Sequence, residues 1–261
     1  MFANERYEII ISLLQSQPSV TVPDLMQRFD VSIETVRRDL SHLEQQGILR
    51  RVHGGAVAVH RPQLFTELSA RRQEHISEKR QIAESAVQLI HENDWIFLDS
   101  GSTALVFAEL LCHRFRKLSI ATYSIEVMTC LAQNPGFSVY LSGGRYMASE
   151  QCFYGAAAQA FFSRYHASRA FLCPASISLR DGACDFLEEL MDVQRAMISH
   201  ADETVLLADS SKFSVSAPVQ LCALRDVSQV ITDATFPSDS AALFQQHIPL
   251  TVANSDILSE H

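Results

Sequence analysis

The sequence predicts an α/β protein, with an N-terminal winged helix-turn-helix joined to a doubly wound, mostly parallel α/β domain. Up to about residue 60, apolar residues recur at helical spacing with short breaks. From about residue 77, short apolar strands alternate with helical segments, a pattern typical of a parallel sheet covered by helices on both faces. We therefore expect residues 1–60 and 77–261 to form two domains, with the polar residues 61–76 as a linker.

Three helices are predicted in the first region. Apolar residues at helical spacing between Ile9 and Leu14 indicate the first helix, which ends at the turn-forming residues 17–19. A second, short helix is indicated by a cap, an early proline and an acidic residue in its first turn, Thr21, Pro23 and Asp24. Ser32 is the predicted cap of a third helix that ends at Gly47. Two helices this close together are typical of a helix-turn-helix.

The third predicted helix has an apolar and a polar side. The residues expected to pack inward are Ile33, Val36, Leu40 and Leu43. The opposite side carries Glu34, Thr35, Arg38, Ser41 and His42, with Arg37 at its flank. Arginine offers a planar fork to guanine edges and phosphates, and the hydroxyls of Ser32 and Thr35 can approach a DNA backbone closely. The alternative is a solvated face on which Glu34 and Arg38 form an ordinary intrahelical pair.

Residues 48–59 indicate a two-stranded wing, because they alternate on either side of a Gly-Gly turn. A wing beside this helix brings its basic residues near a phosphate backbone or a minor groove. Residues 5–57 hold six Lys and Arg against seven Asp and Glu, but four of the six lie between 37 and 51. We expect a local, salt-dependent contact with double-stranded DNA. Its predicted residues are Thr21, Ser32, Glu34, Thr35, Arg37, Arg38, Arg50, Arg51, His53 and Gly54.

Composition excludes several classes of protein. The chain is 47% hydrophobic and 20% charged, which is typical of a globular protein, and its net charge of −9 excludes a simple polycation. No apolar run approaches the roughly 18 residues of a membrane span, and no secretory signal is evident, so we expect a cytoplasmic protein with no membrane partner. The six cysteines are widely spaced, so we expect reduced, mostly buried thiols. No metal, no other cofactor and no catalytic residue are predicted.

The second region is predicted to alternate strands and helices after a helix capped by Ser77. Strands are expected at 95–98, 118–121, 137–141, 170–173, 204–208, 229–232 and 250–253. Helices are expected at 104–114, 124–133, 154–163, 186–200 and 239–247. In an open sheet of this kind, ligands bind beyond the carboxyl ends of the strands.

The loop after the first of these strands suits an anion. It reads Asp99, Ser100, Gly101, Ser102 and Thr103, and it leads directly into a helix. Amide N–H groups, hydroxyls and the field of a helix N-terminus together favour a phosphate. The same residues also make an ordinary capped turn, and that alternative stays open.

Polar residues at other strand ends are expected to join this loop in one crevice. They are Thr122 and Ser124, then Gly143, Gly144 and Arg145, and finally Asp209 and Lys212. In this arrangement Asp99 and Asp209 would bind hydroxyls, and Lys212 would supply a fixed cation unless it is a solvated turn residue. The set suits a small phosphorylated polyol or sugar.

These motifs resemble those of a known family. The segments VTVPDLMQRFDVSIETVRRDL and RRVHGGAV strongly resemble the winged helix-turn-helix of DeoR-type bacterial transcriptional regulators. In that family the segment ending in TxRRDL is the recognition helix and RxHGGA is the wing. The rest of the chain resembles the family's sugar-phosphate-sensing domain, similar in fold to ribose-5-phosphate isomerase, through EKRQIAESAVQLI, DSGST, LSGGR and LLADSSKF.

Two positions depart from the family pattern, and both lie at the expected pocket. Tyr123 stands in a Thr-Tyr-Ser sequence where the family commonly has Thr-Asn-Ser, so it is expected to fill space or to stack on a ligand. Pro174 begins a Pro-Ala-Ser sequence in place of the usual small Gly-rich turn. The effector can therefore differ from the commoner ones of the family, or the pocket can be partly closed.

Two functions fit these observations. The favoured hypothesis is a homo-oligomeric DNA-binding regulator, dimer or tetramer, which represses carbohydrate-metabolism genes from a DNA operator under the control of a phosphorylated sugar. The alternative is a sugar-phosphate isomerase-like enzyme with an appended DNA-binding domain. Proton abstraction beside a carbonyl needs a positioned base, and the sequence offers none beyond the residues already assigned to binding.

Overall fold

The computed structural model describes residues 3–16, 19–45, 49–52, 54–58 and 67–254 of the chain. The chain divides into two compact units, Met1–Pro62 and Gln63–His261. Gly47, His53 and the first part of the predicted linker lie outside the described residues. Each unit has its own buried apolar core, so each is described by itself.

The first unit consists of three helices and a small antiparallel sheet. Its helices are α1 (Ala3–Ser16), α2 (Val22–Phe29) and α3 (Ile33–Gln45), and its strands are β1 (Ser19–Thr21), β2 (Leu49–Val52) and β3 (Gly55–Ala58). Apolar side chains from all three helices, among them Ile10, Leu25 and Leu40, form its core. The predicted helix-turn-helix is confirmed in α2 and α3.

Helix α2 has the cap that its sequence predicts. The hydroxyl of Thr21 accepts a hydrogen bond of 3.3 Å from the backbone N–H of Asp24. At the other end Asp30 adopts the left-handed conformation, with φ of 51°, and its backbone N–H donates to the carbonyl of Met26. Aspartate tolerates this conformation better than most side chains, so the helix ends sharply and α3 follows within a few residues.

The wing contains one strand more than predicted. β2 and β3 pair from Leu49 opposite Ala58 to Val52 opposite Gly55, as expected. β1 pairs with the other edge of β3, and its three residues are too few to show an alternating pattern in sequence. Gly55 permits this pairing, because a Cβ atom there would lie 2.1 Å from the carbonyl oxygen of Val20.

The second unit is built on seven parallel strands in the order β15-β14-β12-β9-β4-β5-β6. They are β4 (Trp95–Leu98), β5 (Ser119–Thr122), β6 (Ser138–Leu141), β9 (Ala167–Leu172), β12 (Ala201–Leu207), β14 (Gln229–Thr232) and β15 (Leu250–Val252). The chain runs outward from β4 to β6 and then returns to the other side of β4. The neighbouring strands β4 and β9 therefore form the topological switch point, where ligands bind in such folds.

Helices cover both faces of this sheet, which confirms the doubly wound fold. They are α4 (Leu68–Arg71), α5 (Ile76–Ala86), α6 (Ser102–Arg114), α7 (Ile125–Leu131), α8 (Ala156–Phe162), α9 (Glu188–Ser199) and α10 (Ser238–Gln245). Core side chains of α5, α6 and α7 pack with Ile96 and Leu98 on one face. Those of α8, α9 and α10 pack with Phe97 on the other, as the alternation of a strand requires.

Several short elements differ from the sequence prediction. The hairpin of β7 (Arg145–Met147) and β8 (Cys152–Tyr154), and the small sheet of β10 (Ser176–Ser178), β11 (Gly182–Asp185) and β13 (Val219–Cys222), were not predicted. Residues 68–71, assigned to the linker, form α4, and the backbone N–H of Leu68 donates to the carbonyl of Ser149. Helix α5 starts at Ile76, after a left-handed His75, and is not capped by Ser77.

Two further expectations concern membranes and thiols. Among the described residues, no helix combines the length and the apolar character needed to cross a membrane. All six cysteines are free, but only Cys152 and Cys184 are buried and the other four are half-buried.

Candidate functional site

The outer face of α3 presents hydroxyl and guanidinium groups on one surface. Glu34, Arg37 and Arg38 are exposed, and Thr35 is half-buried. The hydroxyl of Ser32 lies 3.0 Å from that of Thr35, in a hydrogen bond at the start of the helix. This face therefore has the polar character that the angular pattern predicts.

Arg38 lacks the partner that the alternative hypothesis gave it. Glu34 pairs with Arg37, at 3.2 Å between Oε1 and Nη1, and both side chains are more than half exposed. No carboxylate of the described residues lies within salt-bridge distance of Arg38. The interpretation of Glu34 and Arg38 as an intrahelical pair is thus wrong, and the Arg38 guanidinium faces solvent.

A buried ion pair holds the inner side of α3. Nε of Arg6 donates to Oδ2 of Asp39 at 2.7 Å, and Nη2 donates to Oδ1 at 3.0 Å. This hydrogen-bonded carboxylate raises the pKa of Arg6. The inward packing predicted for α3 holds for Val36, Leu40 and Leu43, which are buried. Ile33 is 39% exposed because it occupies the first position of the helix, at the edge of the core.

The wing is tied to α3 by hydrogen bonds from Arg51. Its backbone N–H donates to Oε1 of Glu44 at 2.8 Å, and its guanidinium donates to the hydroxyl of Ser41. Arg50 and Arg51 are both exposed, and Gly54 forms the turn with φ of 86°. The wing arginines therefore lie on an exposed surface fixed to the same helix as Arg38.

In the second unit, a cavity opens at the carboxyl ends of β4 and β9, at the switch point of the sheet. The structure brings six of the predicted residues to it: Ser100, Gly101, Ser102, Thr103, Asp209 and Lys212. Residues that sequence reasoning missed also line it: Arg71, Glu74, His75, Lys79, Glu150, Asp185 and Gln194. Pro174, where the chain departs from the family pattern, lines the cavity.

The loop before α6 has the geometry of an anion site. Gly101 adopts φ of 110°, which favours glycine, and no side chain caps the helix. Ser102 and Thr103 form the first helical turn, whose amide N–H groups have no partner within the helix. A Cβ atom on Gly101 would lie 3.9 Å from Nη1 of Arg71, so a guanidinium is close to the loop. Together these groups form a positive pole suited to a phosphate.

Asp99 is not a ligand of this cavity, contrary to the prediction. It is fully buried, and its two oxygens accept hydrogen bonds from the backbone N–H groups of Ser100 (2.9 Å) and Cys173 (2.7 Å), and from the side chains of Gln194 and Tyr123. Burial raises the pKa of Asp99 to about 6. Tyr123 is also fully buried, so of its two expected roles it fills space and does not stack on a ligand. These groups support the loop from below.

The side of the cavity formed after β12 combines a cation with an anion. Oδ1 of Asp209 accepts a 3.1 Å hydrogen bond from the backbone N–H of Ser211, and Lys212 follows in the same short turn. Lys79, from α5, is buried, and its Nζ donates to the carbonyl of Arg71 at 2.6 Å. Burial lowers the pKa of Lys79; the nearby Asp209 raises it, and Lys212 and Arg71 lower it. The cavity therefore holds several positive groups close together.

Besides Asp99, five predicted residues lie outside the cavity. The hydroxyl of Thr122 accepts from the backbone N–H of Ser124, whose own hydroxyl caps α7, so both are used within the β5 to α7 turn. Gly143, Gly144 and Arg145 lead into the β7 to β8 hairpin, where the Arg145 guanidinium lies over the ring of Tyr154. The two groups lie outside for different reasons: β6 is an edge strand, two strands away from β4, whereas β5 is next to β4 but Thr122 and Ser124 after it are used in local hydrogen bonds.

The missed cavity residues had weak signals in the sequence. Arg71 lies in a polar stretch that resembled a linker, and only the buried Leu68 hints at a packed helix there. Gln194 has a clearer signal, because it is a polar residue on the buried side of the amphipathic helix α9. Glu150 had none, because it follows a short hairpin strand that the pattern did not reveal.

Three buried oxygens of the cavity wall have no hydrogen-bond partner among the described residues. They are Oε1 of Glu150, Oε1 of Gln194 and Oδ2 of Asp209. Each belongs to a residue that is at most 3% exposed. Buried acceptors are normally paired, so unpaired acceptors gathered in one cavity indicate a ligand or water that donates hydrogen bonds to them.

Both units match models of one family. Residues 6–62 match the model described as DeoR-like helix-turn-helix domain, and residues 74–234 match the one described as DeoR C terminal sensor domain. These two matched segments contain the exposed face of α3 and most of the cavity wall.

Curated relatives extend this similarity over nearly the whole chain. The HTH-type transcriptional regulator GolR of Listeria innocua is 34% identical, over 89% of this chain and 91% of its own. The L-fucose operon activator of Haemophilus influenzae is 30% identical, over 95% of this chain and 99% of its own. The lactose phosphotransferase system repressor of Staphylococcus epidermidis is 35% identical, over 88% of this chain and 91% of its own. All three are transcriptional regulators by name.

Proposed function

This chain belongs to the DeoR family of helix-turn-helix transcriptional regulators, and we propose that it represses carbohydrate-metabolism genes until a phosphorylated sugar binds its second unit. Relatives named for the control of fucose and lactose genes support this class of target genes. The observation that carries the effector assignment is the cavity at the switch point, which combines a helix N-terminus, Lys212 and three unpaired buried acceptors.

The phosphate would bind at the first turn of α6. Amide N–H groups of residues 101–103 and the hydroxyls of Ser102 and Thr103 donate to its oxygens, and Lys212 supplies a full positive charge. Because this loop rests on the buried Asp99 network, its donors are already positioned before the ligand arrives.

The sugar would bind along the rest of the cavity wall. Its hydroxyl groups donate to the unpaired oxygens of Gln194 and Asp209. A site built from buried acceptors discriminates against ligands that lack the matching donors, because each unpaired acceptor costs about 1–3 kcal/mol. Phosphate affinity and hydroxyl recognition thus have separate structural origins.

In the first unit, the exposed face of α3 and the wing would contact the operator. Arg38 and Thr35 suit base edges in the major groove, while Arg50 and Arg51 suit the phosphate backbone. One such unit reads too few base pairs for useful specificity, so we propose a homo-oligomer that binds two half-sites. The wider predicted surface, from Thr21 to Gly54, belongs to the same proposal.

Effector control requires that the ligand favour one state of the protein over another. Arg71 and His75 line the cavity, and they follow in the chain soon after the segment that joins the two units. A ligand that binds Arg71 stabilises the fold of α4 and thereby acts on the residues nearest this junction. We propose this segment as the route of coupling.

The isomerase alternative has less support. GolR, the L-fucose operon activator and the lactose phosphotransferase system repressor are all regulators by name. Asp99, the carboxylate with a pKa of about 6, is separated from the cavity by its own hydrogen bonds, so it cannot reach a substrate carbon. We therefore expect no turnover of pentose or hexose phosphates by the purified protein.

Operator binding tests the proposed function. The full-length protein first selects its preferred site from a library of random double-stranded DNA, and fluorescence anisotropy then gives its affinity for that site at fixed ionic strength. We expect one phosphorylated sugar of a pentose and hexose phosphate panel to weaken operator binding by about 10-fold or more, while its unphosphorylated parent has no effect. Failure to select any DNA sequence would contradict the regulator, and an unchanged affinity with every phosphate ester would contradict the effector.

A further inference from the structure

The cavity has an acidic end, and the phosphate ester of an uncharged sugar would leave its negative charge uncompensated. Glu150 and Asp185 both line it, together with Arg71, whose guanidinium is close to the loop before α6. Glu150 is 3% exposed, and its Oε2 accepts a hydrogen bond from Nη2 of Arg71. Its Oε1 is buried and has no partner among the described residues.

The charges at this end do not balance. Oδ1 of Asp185 accepts a 2.6 Å hydrogen bond from the backbone N–H of Phe186, which orients the carboxylate but brings no full positive charge. Arg71 forms an ion pair with Glu150, its charge also acts on Asp185, and its guanidinium is close to the loop before α6. Burial raises the pKa of Glu150 and of Asp185, and the charge of Asp185 raises that of Glu150 further. Glu150 is thus paired with a guanidinium that a bound phosphate would also attract, and Asp185 has no ion pair among the described residues.

We propose that the effector carries a cationic amino group as well as its phosphate, so that the cavity takes an amino sugar phosphate whose ammonium group binds between Glu150 and Asp185. This inference rests on the proposed function, since it specifies the sugar phosphate of the same cavity. The ammonium supplies the positive charge that this end lacks, and it donates to the unpaired Oε1 of Glu150.

A sugar hydroxyl fits this end less well than an ammonium group. A hydroxyl donates a single hydrogen bond and carries no charge, so the surplus negative charge would stay in the wall. An ammonium group has three donors and a full positive charge, and hydrogen bonds between charged groups are about twice as strong as neutral ones. The remaining acceptors, on Gln194 and Asp209, are left for hydroxyls of the same ligand.

Matched ligand pairs test the proposal. Calorimetric titration of the full-length protein at neutral pH compares glucosamine 6-phosphate with glucose 6-phosphate, and galactosamine 6-phosphate with galactose 6-phosphate. The members of each pair differ only in the group at carbon 2. We expect the amino member of at least one pair to bind about 10-fold more tightly. Its N-acetyl derivative, which keeps the nitrogen but loses the charge, should lose this advantage.

Two variants locate the ammonium site. Glu150→Gln and Asp185→Asn each remove one negative charge with little change in shape, and each should reduce the preference for the amino member to about 2-fold or less. Glu126→Gln is the matched control. Glu126 also pairs with an arginine, Arg72 at 3.0 Å, and also has a buried oxygen without a partner, but it does not line the cavity. This variant should keep the full preference.

These experiments distinguish failure of the ammonium site from failure of the sugar-phosphate sensor. If the hydroxyl member binds as tightly as the amino member in both pairs, or if both cavity variants keep the full preference, the ammonium site is refuted while the sugar-phosphate sensor stands. If no phosphate ester of these pairs or of the wider panel binds, the sensor function itself fails, and this proposal fails with it.

Discussion

The hydroxyl of Tyr123 donates a hydrogen bond to Oδ1 of Asp99, in the fully buried layer beneath the loop that begins α6. The same carboxylate accepts from the backbone N–H groups of Ser100 and Cys173 and from the side-chain amide of Gln194. Asp99 therefore connects the ends of β4, β5 and β9 to helix α9. This network, and not direct contact with the ligand, is how Asp99 and Tyr123 shape the cavity.

Tyr123→Phe should destabilise the second unit. The variant keeps the ring but leaves Asp99 with one donor fewer, at a cost of about 1–3 kcal/mol in the free energy of unfolding. Urea denaturation measures this loss. Tyr140→Phe is the control, because Tyr140 is 37% exposed and its loss of a hydroxyl should change stability by less than about 0.5 kcal/mol. Equal stability of Tyr123→Phe and wild type would show that the hydroxyl does not support the loop.

Ionisation of Asp99 should lower the free energy of unfolding as the pH rises from about 4 to 6. Its pKa is about 6 in the folded protein, against an ordinary value of 3.8, so the folded state binds the proton more tightly than the unfolded chain in this window. Linkage then lowers the free energy of unfolding by up to about 3 kcal/mol as the carboxyl ionises. Asp99→Asn does not titrate and should lack this fall. Parallel stability curves of the two proteins between pH 4 and 6 would refute the raised pKa.

Breaking the Arg6 and Asp39 pair should unfold the first unit selectively. Asp39→Ala leaves a buried guanidinium without its carboxylate, which typically costs about 3–5 kcal/mol. We expect operator binding to be lost while sugar-phosphate binding by the second unit persists. The double variant Arg6→Leu with Asp39→Leu removes both charges and should regain most of the stability. A wild-type operator affinity in Asp39→Ala would count against this role of the pair.

Arg38→Ala should weaken operator binding and relax its sequence preference. If Arg38 reads a base edge, the loss is on the order of 1–3 kcal/mol and is largest for the selected site. Arg116→Ala removes an exposed arginine of the second unit and should leave the affinity unchanged. Anisotropy titrations with the selected site and with a scrambled one make the comparison. An unchanged affinity in Arg38→Ala would remove this residue from the interface.

Local patterns in the sequence were sufficient for most of the fold. The caps and apolar spacing of α2 and α3 gave the helix-turn-helix, because those features act within a few residues of each other. The seven sheet strands were evident because strands of a parallel sheet covered on both faces are nearly continuous apolar runs. These helices and strands can therefore be recognised from the local sequence alone, without knowledge of tertiary contacts.

The cavity was only partly predictable, because its composition depends on which strands are neighbours. Ser102 and Lys212 were found, since they follow strands that lie near the switch point. Gly143 follows the edge strand β6, two strands away from β4, which only the strand order shows. Ser124 follows β5, next to β4, but its hydroxyl caps α7 and it does not line the cavity. Asp99 lies in the predicted loop, but its carboxylate accepts hydrogen bonds from four other residues, and no local pattern in the sequence reveals them.

The most direct test of the sensor is thermal unfolding of the second unit with sugar phosphates, each compared with its unphosphorylated parent, in wild type, Lys212→Ala and the exposed-lysine control Lys117→Ala. A ligand that binds only the folded state raises the midpoint. We predict that one phosphate ester raises it in wild type and in Lys117→Ala but not in Lys212→Ala, and that its parent sugar raises it in none. An equal rise in Lys212→Ala, or a parent sugar as effective as its ester, would contradict phosphate recognition in this cavity.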